Sequence, residues 1–222
     1  MNEEKRFILA AVARLIGYPD HRFPDERDEI LMAIPEWPLG DDLKQGLSLA
    51  LSQLCGNTVM ELQELYVTTF DMKEDTGLYL TAMELGDSRD RGAALILLKN
   101  IVEDAGFTPA YGELADYIPA LYELLAVSND NVHIKALERR LSVATKKIAD
   151  YLPDGHPYKS CFSILVNDVF GEPTAEDIEK LTHTREAADI EDLPYPILYG
   201  MDGMARGDIS MPSMNFCNGM EV

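Results

Sequence analysis

Cysteine, histidine, tryptophan and positive charge are all scarce in this chain of 222 residues, and each shortage closes off a class of function. The three cysteines, Cys55, Cys161 and Cys217, stand far apart, without the close pairs of a zinc site or a disulfide framework. A reducing cytoplasm is the expected setting. The four histidines, His21, His133, His156 and His183, are scattered, and none has a cysteine or second histidine at metal-ligand spacing. With 19 basic residues against 39 acidic ones, the net charge of -20 argues against tracking a nucleic-acid backbone, which takes clustered Lys and Arg. No stretch approaches the roughly 18 uninterrupted apolar residues of a membrane span. The N-terminal Met1-Asn2-Glu3-Glu4-Lys5-Arg6 leads straight into an amphipathic pattern rather than into a leader with a small-residue cleavage site, so export is not expected. Neither a glycine-rich phosphate loop nor a G-x-S-x-G elbow occurs, and no enzyme active site can be assembled from these residues.

What the chain does have is helical periodicity. Hydrophobic residues make up 46% of it, enough for one substantial core at this length. Phe7, Ile8, Ala11, Val12, Leu15 and Ile16 repeat as one helix face, and Gly17-Tyr18-Pro19-Asp20 stops it. Further helical patterns run at about 25–34, 41–55, 58–70, 88–105, 114–127, 131–151, 157–170 and 174–187. No strand pattern stands out, and the Pro and Gly punctuation leaves connections of bundle length. The expected fold is all-α, a single-domain bundle of about 8 to 10 helices over residues 1–190. Beyond Gly171, eight acidic residues up to Asp192 face only Lys180 and Arg185, which reads as a solvated acidic helix and linker. Residues 191–222 form a Met- and Gly-rich tail holding five of the ten methionines. Two readings stay open for it: a disordered or simply packed end, or a flexible apolar cover over a partner groove that the partner displaces.

The most informative stretch is Gly86-Asp87-Ser88-Arg89-Asp90-Arg91-Gly92-Ala93-Ala94-Leu95. Leu95, Leu98, Ile101, Val102 and Ala105 make a helix face, Asp87 or Ser88 suits the N-cap, and Gly106-Phe107 suits a left-handed stop. Yet Arg89 and Arg91 sit in the first turn, where the helix dipole disfavours cations by about 0.3 to 1 kcal/mol each. Something anionic is expected to offset them.

Ser88-Arg89-Asp90-Arg91-Gly92 resembles the SRDRG signature of the NarJ-type assembly chaperones for respiratory nitrate reductase, within the wider TorD-like and DmsD-like family. Upstream, Tyr66-Val67-Thr68-Thr69-Phe70-Asp71 resembles the family's Y-x-x-x-F-D segment. Downstream, Glu113-Leu114-Ala115-Asp116-Tyr117-Ile118-Pro119 with Glu123 resembles its E-L-x-D-x-L-P block. Order and spacing fit over about residues 60–125. The chain departs from the pattern at Met83 and Leu85, where the family has histidines, and at Ala115, where proline is usual.

The resemblance implies a TorD/NarJ-like bundle that works by binding rather than bond making: a cytoplasmic, system-specific chaperone. It would bind the N-terminal peptide of the apo catalytic subunit of a molybdoenzyme, a nitrate reductase first among them, and support molybdenum cofactor insertion before membrane attachment or export. The cofactor would belong to the client, with none held stably by the chaperone. Nucleic acid and membrane insertion are not expected, and the chain would be a monomer or homodimer. The alternatives are a nucleotide-binding or hydrolysing helical protein, with an anion at the Ser88 helix start, or a permanent scaffold subunit of an oxidoreductase complex. On the resemblance, Tyr66, Phe70, Asp71, Arg89, Arg91, Asp116, Tyr117, Pro119 and Glu123 are the candidate partner-binding residues. Two readings stand side by side. Arg89 or Arg91 pairs with Asp71, Asp87 or Asp116 in a polar knot, or one guanidinium stays free for the client. Likewise Tyr66, Phe70, Tyr117 and Tyr122 either line a groove for an apolar helix or pack in the core.

Overall fold

A computed structural model describes residues 1–86, 88, 90–108 and 112–183. Arg89, the end of the last expected helix at 184–187 and the tail at 191–222 lie outside the described residues. Those described form ten α-helices and no strand. In chain order they are α1 (Glu3–Ile16), α2 (Phe23–Ala33), α3 (Asp41–Leu54), α4 (Val59–Tyr66), α5 (Leu80–Leu85), α6 (Asp90–Asp104), α7 (Ile118–Val127), α8 (Val132–Tyr151), α9 (Lys159–Ile164) and α10 (Ala175–His183). α4 and α9 each run on into a π-helical stretch, Val67–Asp71 and Leu165–Phe170.

Local chemistry sets the helix starts. Asn2 accepts from the Lys5 N–H and Asn131 from the Ile134 N–H, each at 2.9 Å. Thr58 and Glu61 make a reciprocal capping box. α6 stops in a Schellman motif around Gly106 (φ 85°), where Phe107 N–H reaches Val102 O and Gly106 N–H reaches Glu103 O. Of the expected face of α1, Ile8, Ala11, Val12, Leu15 and Ile16 are buried and Phe7 is partly buried; Leu9 is buried beside them, and the helix packs mainly along α7.

Cations from other elements hold the free carbonyls at helix ends. Arg6 donates to Ala126 O at 2.7 Å and Ser128 O at 2.8 Å, at the end of α7. Lys159 does the same at the end of α8 through Ala149 O and Leu152 O. On the other face Arg140 of α8 grips Glu84 of α5 with two contacts, Nε–Oε1 at 2.9 Å and Nη2–Oε2 at 2.7 Å.

The π-helical stretch after α4 is pinned by Thr69. Its hydroxyl donates to Leu65 O, Thr76 Oγ1 donates to its carbonyl, and His156 Nε2 lies 3.2 Å from Thr69 Oγ1. The single hydroxyl proton goes to Leu65, so His156 donates from Nε2 and accepts the Tyr158 N–H on Nδ1 at 3.3 Å. It is the neutral tautomer. Two elements differ from the periodic reading. The short α5 is additional, and α7 begins at Ile118 instead of 114. Both follow from one pairing: Leu80 N–H donates to Asp116 O and Ile118 N–H to Leu78 O, each at 2.9 Å, an isolated antiparallel bridge of Tyr79 with Tyr117. The backbone of 116–118 is committed across the chain, so the helix starts after it.

Candidate functional site

The bridge gathers the motif residues. Asp116 is fully buried, and its Oδ2 accepts from both the backbone N–H (3.2 Å) and the hydroxyl of Thr81. Arg91 donates from Nε to that hydroxyl at 3.3 Å, with Nη2 3.8 Å from the same carboxylate oxygen. Here is the polar knot, and it turns Arg91 inward. Asp116 Oδ1 has no hydrogen-bond partner. At the start of α6, Ser88 Oγ accepts the Asp90 N–H and donates to the Asp90 carboxylate. A negative group of the chain itself thus stands in the first turn of α6 and offsets its cations.

Behind the bridge lies an aromatic wall. The hydroxyls of Tyr66 and Tyr117 meet at 3.1 Å, Tyr18 packs edge-on against Tyr66, and Tyr66 against Phe70. Phe70 continues to Tyr158 and Phe162 in the core. Tyr79 donates to Glu113 at 3.1 Å. Burial pushes the Tyr66 and Tyr117 phenols up, and burial with the Glu113 charge pushes Tyr79 up to about 12. These hydroxyls stay protonated and act as hydrogen-bonding groups, not nucleophiles.

In front of the wall runs a groove of ≈ 580 Å³ bounded by α1, the start of α2, the end of α6 and α7. Its apolar lining includes Ala13, Val102, Tyr117, Leu121 and Leu124. Large apolar side chains stand open on it: Tyr18 53% exposed, Phe107 44%, Leu114 45% and Val127 56%. Four carboxylates line it, Asp20, Glu26, Glu113 and Glu123, against Arg14 and Arg22. Arg14 Nη1 donates to Glu26 at 3.1 Å and its Nε pairs with Glu123 at 2.9 Å; Arg22 pairs with Asp20.

The motif residues therefore divide. Tyr117, Pro119 and Glu123 line the groove. Tyr66 supports Tyr117 from behind. Phe70 is 3% exposed in the core, Asp116 and Arg91 form the knot, Tyr122 is buried with its hydroxyl 2.6 Å from Thr145 Oγ1, and Asp71 is exposed at the end of the π-helical stretch. Sequence reasoning missed Arg14, Tyr18, Glu26, Phe107 and Leu114. The signal available was an aromatic placed directly at a helix stop, at Tyr18 after Gly17 and at Phe107 after Gly106. Among the described residues no group of three or more His, Cys, Asp or Glu is placed to hold a metal ion, and no helix is long and apolar enough to cross a membrane.

No protein-family model matches the chain. It is 30% identical over 140 residues to the probable nitrate reductase molybdenum cofactor assembly chaperone NarJ of Bacillus subtilis (strain 168), covering 63% of this chain and 75% of the relative. To the nitrate reductase molybdenum cofactor assembly chaperone NarJ of Escherichia coli (strain K12) it is 32% identical over 119 residues, 53% of this chain and 50% of the relative. The probable assembly chaperone NarW of the same strain is 30% identical over 138 residues, 62% of this chain and 55% of the relative. The chain thus spans about half the length of the two Escherichia coli relatives and three quarters of the Bacillus one.

Proposed function

From the premise that this chain belongs to the NarJ family of nitrate reductase molybdenum cofactor assembly chaperones, we propose that it binds the apo catalytic subunit of a molybdoenzyme, a respiratory nitrate reductase. Binding takes the N-terminal segment of that subunit, supports insertion of the molybdenum cofactor, and delays membrane attachment or export until insertion is done. The cofactor stays with the client, and the work is cytoplasmic binding rather than catalysis.

The observation that carries this reading is the groove. Open aromatic and aliphatic side chains over an apolar floor suit the face of an amphipathic helix, and four carboxylates against two arginines suit a cationic one. The net charge of -20 steers such a segment in from a distance. The mechanism is mass action. A chaperone that binds the cofactor-free state more tightly than the loaded state holds the former and releases the latter, and no bond changes.

The test is a capture experiment with the full chain as bait in extract of cells that naturally carry it, grown with and without molybdate. Enrichment of one molybdoenzyme catalytic subunit, stronger without molybdate and lost when its N-terminal segment is deleted, is the expected result. Equal retention of the assembled, cofactor-loaded enzyme would replace the chaperone with a permanent scaffold. Failure to retain any molybdoenzyme would overturn both.

A further inference from the structure

Arg14 bridges two walls of the groove. From the last turn of α1 it reaches Glu26 on α2 and Glu123 on α7, and its guanidinium is half open to solvent, the side chain 52% exposed. Arg22 is tied to its near neighbour Asp20, and Glu113 accepts from the Tyr79 hydroxyl and the Leu114 N–H. Glu26 and Glu123, by contrast, share Arg14 as their direct ion-pair partner, with Arg22 adding a through-space attraction to Glu26. Exposed pairs of this kind add little to stability and are screened by salt, so exchanging one cation for another across them is nearly neutral.

We propose that Arg14 is an internal stand-in for a cation of the bound partner. An incoming helical segment lays apolar side chains on Leu121, Leu124 and Phe107, its own Lys or Arg takes over Glu26 and Glu123, and Arg14 swings out into water. The inference rests on the groove being the client site, and it adds the selection rule. A basic amphipathic segment replaces the ion pairs it breaks, whereas a neutral apolar one leaves the Arg14 bridge across its path. An open apolar groove is in this way kept from accepting apolar helices at large.

The experiment uses the full chain and two synthetic helical peptides with the same Leu/Ala face, one carrying lysines along one edge and the other glutamines there. Each is titrated by calorimetry at low and high salt. The unaltered chain should prefer the lysine peptide, most at low salt. Arg14→Gln should tighten the lysine peptide about two- to tenfold, the range two exposed ion pairs can supply, with little change for the glutamine peptide, because the bridge removed from its path leaves two bare carboxylates that glutamines cannot neutralise. Glu26→Gln with Glu123→Gln should weaken the lysine peptide by a similar factor and flatten its salt dependence. Weaker binding of the lysine peptide to Arg14→Gln, no change, or an equal gain for both peptides, would overturn the stand-in role. Ala120→Trp separates this from the groove reading, because Ala120 is an exposed residue of the groove lining. Filling that space should abolish both peptides. If both still bind, or if neither binds the unaltered chain, the groove is not the site and the inference falls with it.

Discussion

α6 and α7 are both rich in apolar residues and meet very different fates. Seven of the ten residues of α7 are buried, among them Leu121, Tyr122, Leu124 and Leu125. In α6 only Leu98 and Val102 of fifteen are buried, while Leu95, Ile96, Leu97 and Ile101 stay half-covered. The difference lies in the neighbours. α7 lies along α1 and packs on α8, where Tyr122 bonds Thr145; among the described residues α6 has mainly the short α5 beside it. Apolar content thus measures what a helix can bury, not what it does bury. The end of α6 borders the groove, through the buried Val102 and the open Phe107 that follows the helix stop. Regions with few buried contacts open at lower free energy than the core, so the groove has one firm wall and one yielding wall.

The strongest way to break this comparison is to cut the same side chain on both helices. Leu121→Ala should lower stability by about 2–5 kcal/mol, and Leu95→Ala by less than about 1 kcal/mol, because a half-covered site leaves little cavity. Urea denaturation of the two variants decides it. Equal losses would mean that α6 is packed as firmly as α7. A smaller effect belongs to the knot that ties α6 to the rest. Asp116→Ala removes the acceptor of the Thr81 N–H and hydroxyl and leaves Arg91 without its carboxylate. About 1–3 kcal/mol should be lost. Hydrogen exchange should rise at α5 and the first turn of α6 while the interior of α7 stays protected. Uniform loosening of the whole chain would show that the knot holds the bundle and not the wall.

Most helices were legible because their cause is local. The spacing of Ile8, Val12 and Leu15 predicts α1, and Asn131 and Gly106 mark where α8 begins and α6 ends. The start of α7 and all of α5 were not, because the Tyr79–Tyr117 bridge sets them over 38 residues of separation and no window contains both sides. The site divides the same way. Tyr117, Pro119 and Glu123, candidates that the family resemblance supplied, line the groove, and Arg91 with Asp116 is one of the pairings that the sequence left open between Arg89 or Arg91 and Asp71, Asp87 or Asp116. Arg14, Glu26 and Phe107 come from other elements and acquire their roles only when α1, α2 and α6 meet around α7. Phe70 shows the converse. Its motif position says nothing about whether an aromatic lines a surface or fills a core, and Tyr158 and Phe162 decide for the core.

The gentlest test contrasts the yielding wall with the pinned π-helical stretch on the opposite side of the aromatic wall. His156 is held neutral there, donating to Thr69 and accepting from Tyr158, and burial with the Lys73 charge lowers its pKa below the ordinary value of 6.5. A histidine that resists protonation in the folded state binds fewer protons than in the unfolded chain, so stability rises with pH across its titration. Its contribution is whole above 6.5 and is lost as the pH falls from there toward the depressed value. Thermal melts of the unaltered chain and of His156→Gln, taken at intervals between about pH 7.5 and 5, should separate as the pH falls through this window, the unaltered chain losing stability that the variant keeps, since glutamine can make both hydrogen bonds and does not titrate. Parallel curves would remove His156 as the source. Because the histidine touches Thr69 and not α6, acid should first raise hydrogen exchange along Val67–Asp71 and leave the exchange of α6 unchanged. Acid loosening that began in α6 would mean that the two regions are coupled through the aromatic wall, and that the groove has a single mobility rather than two.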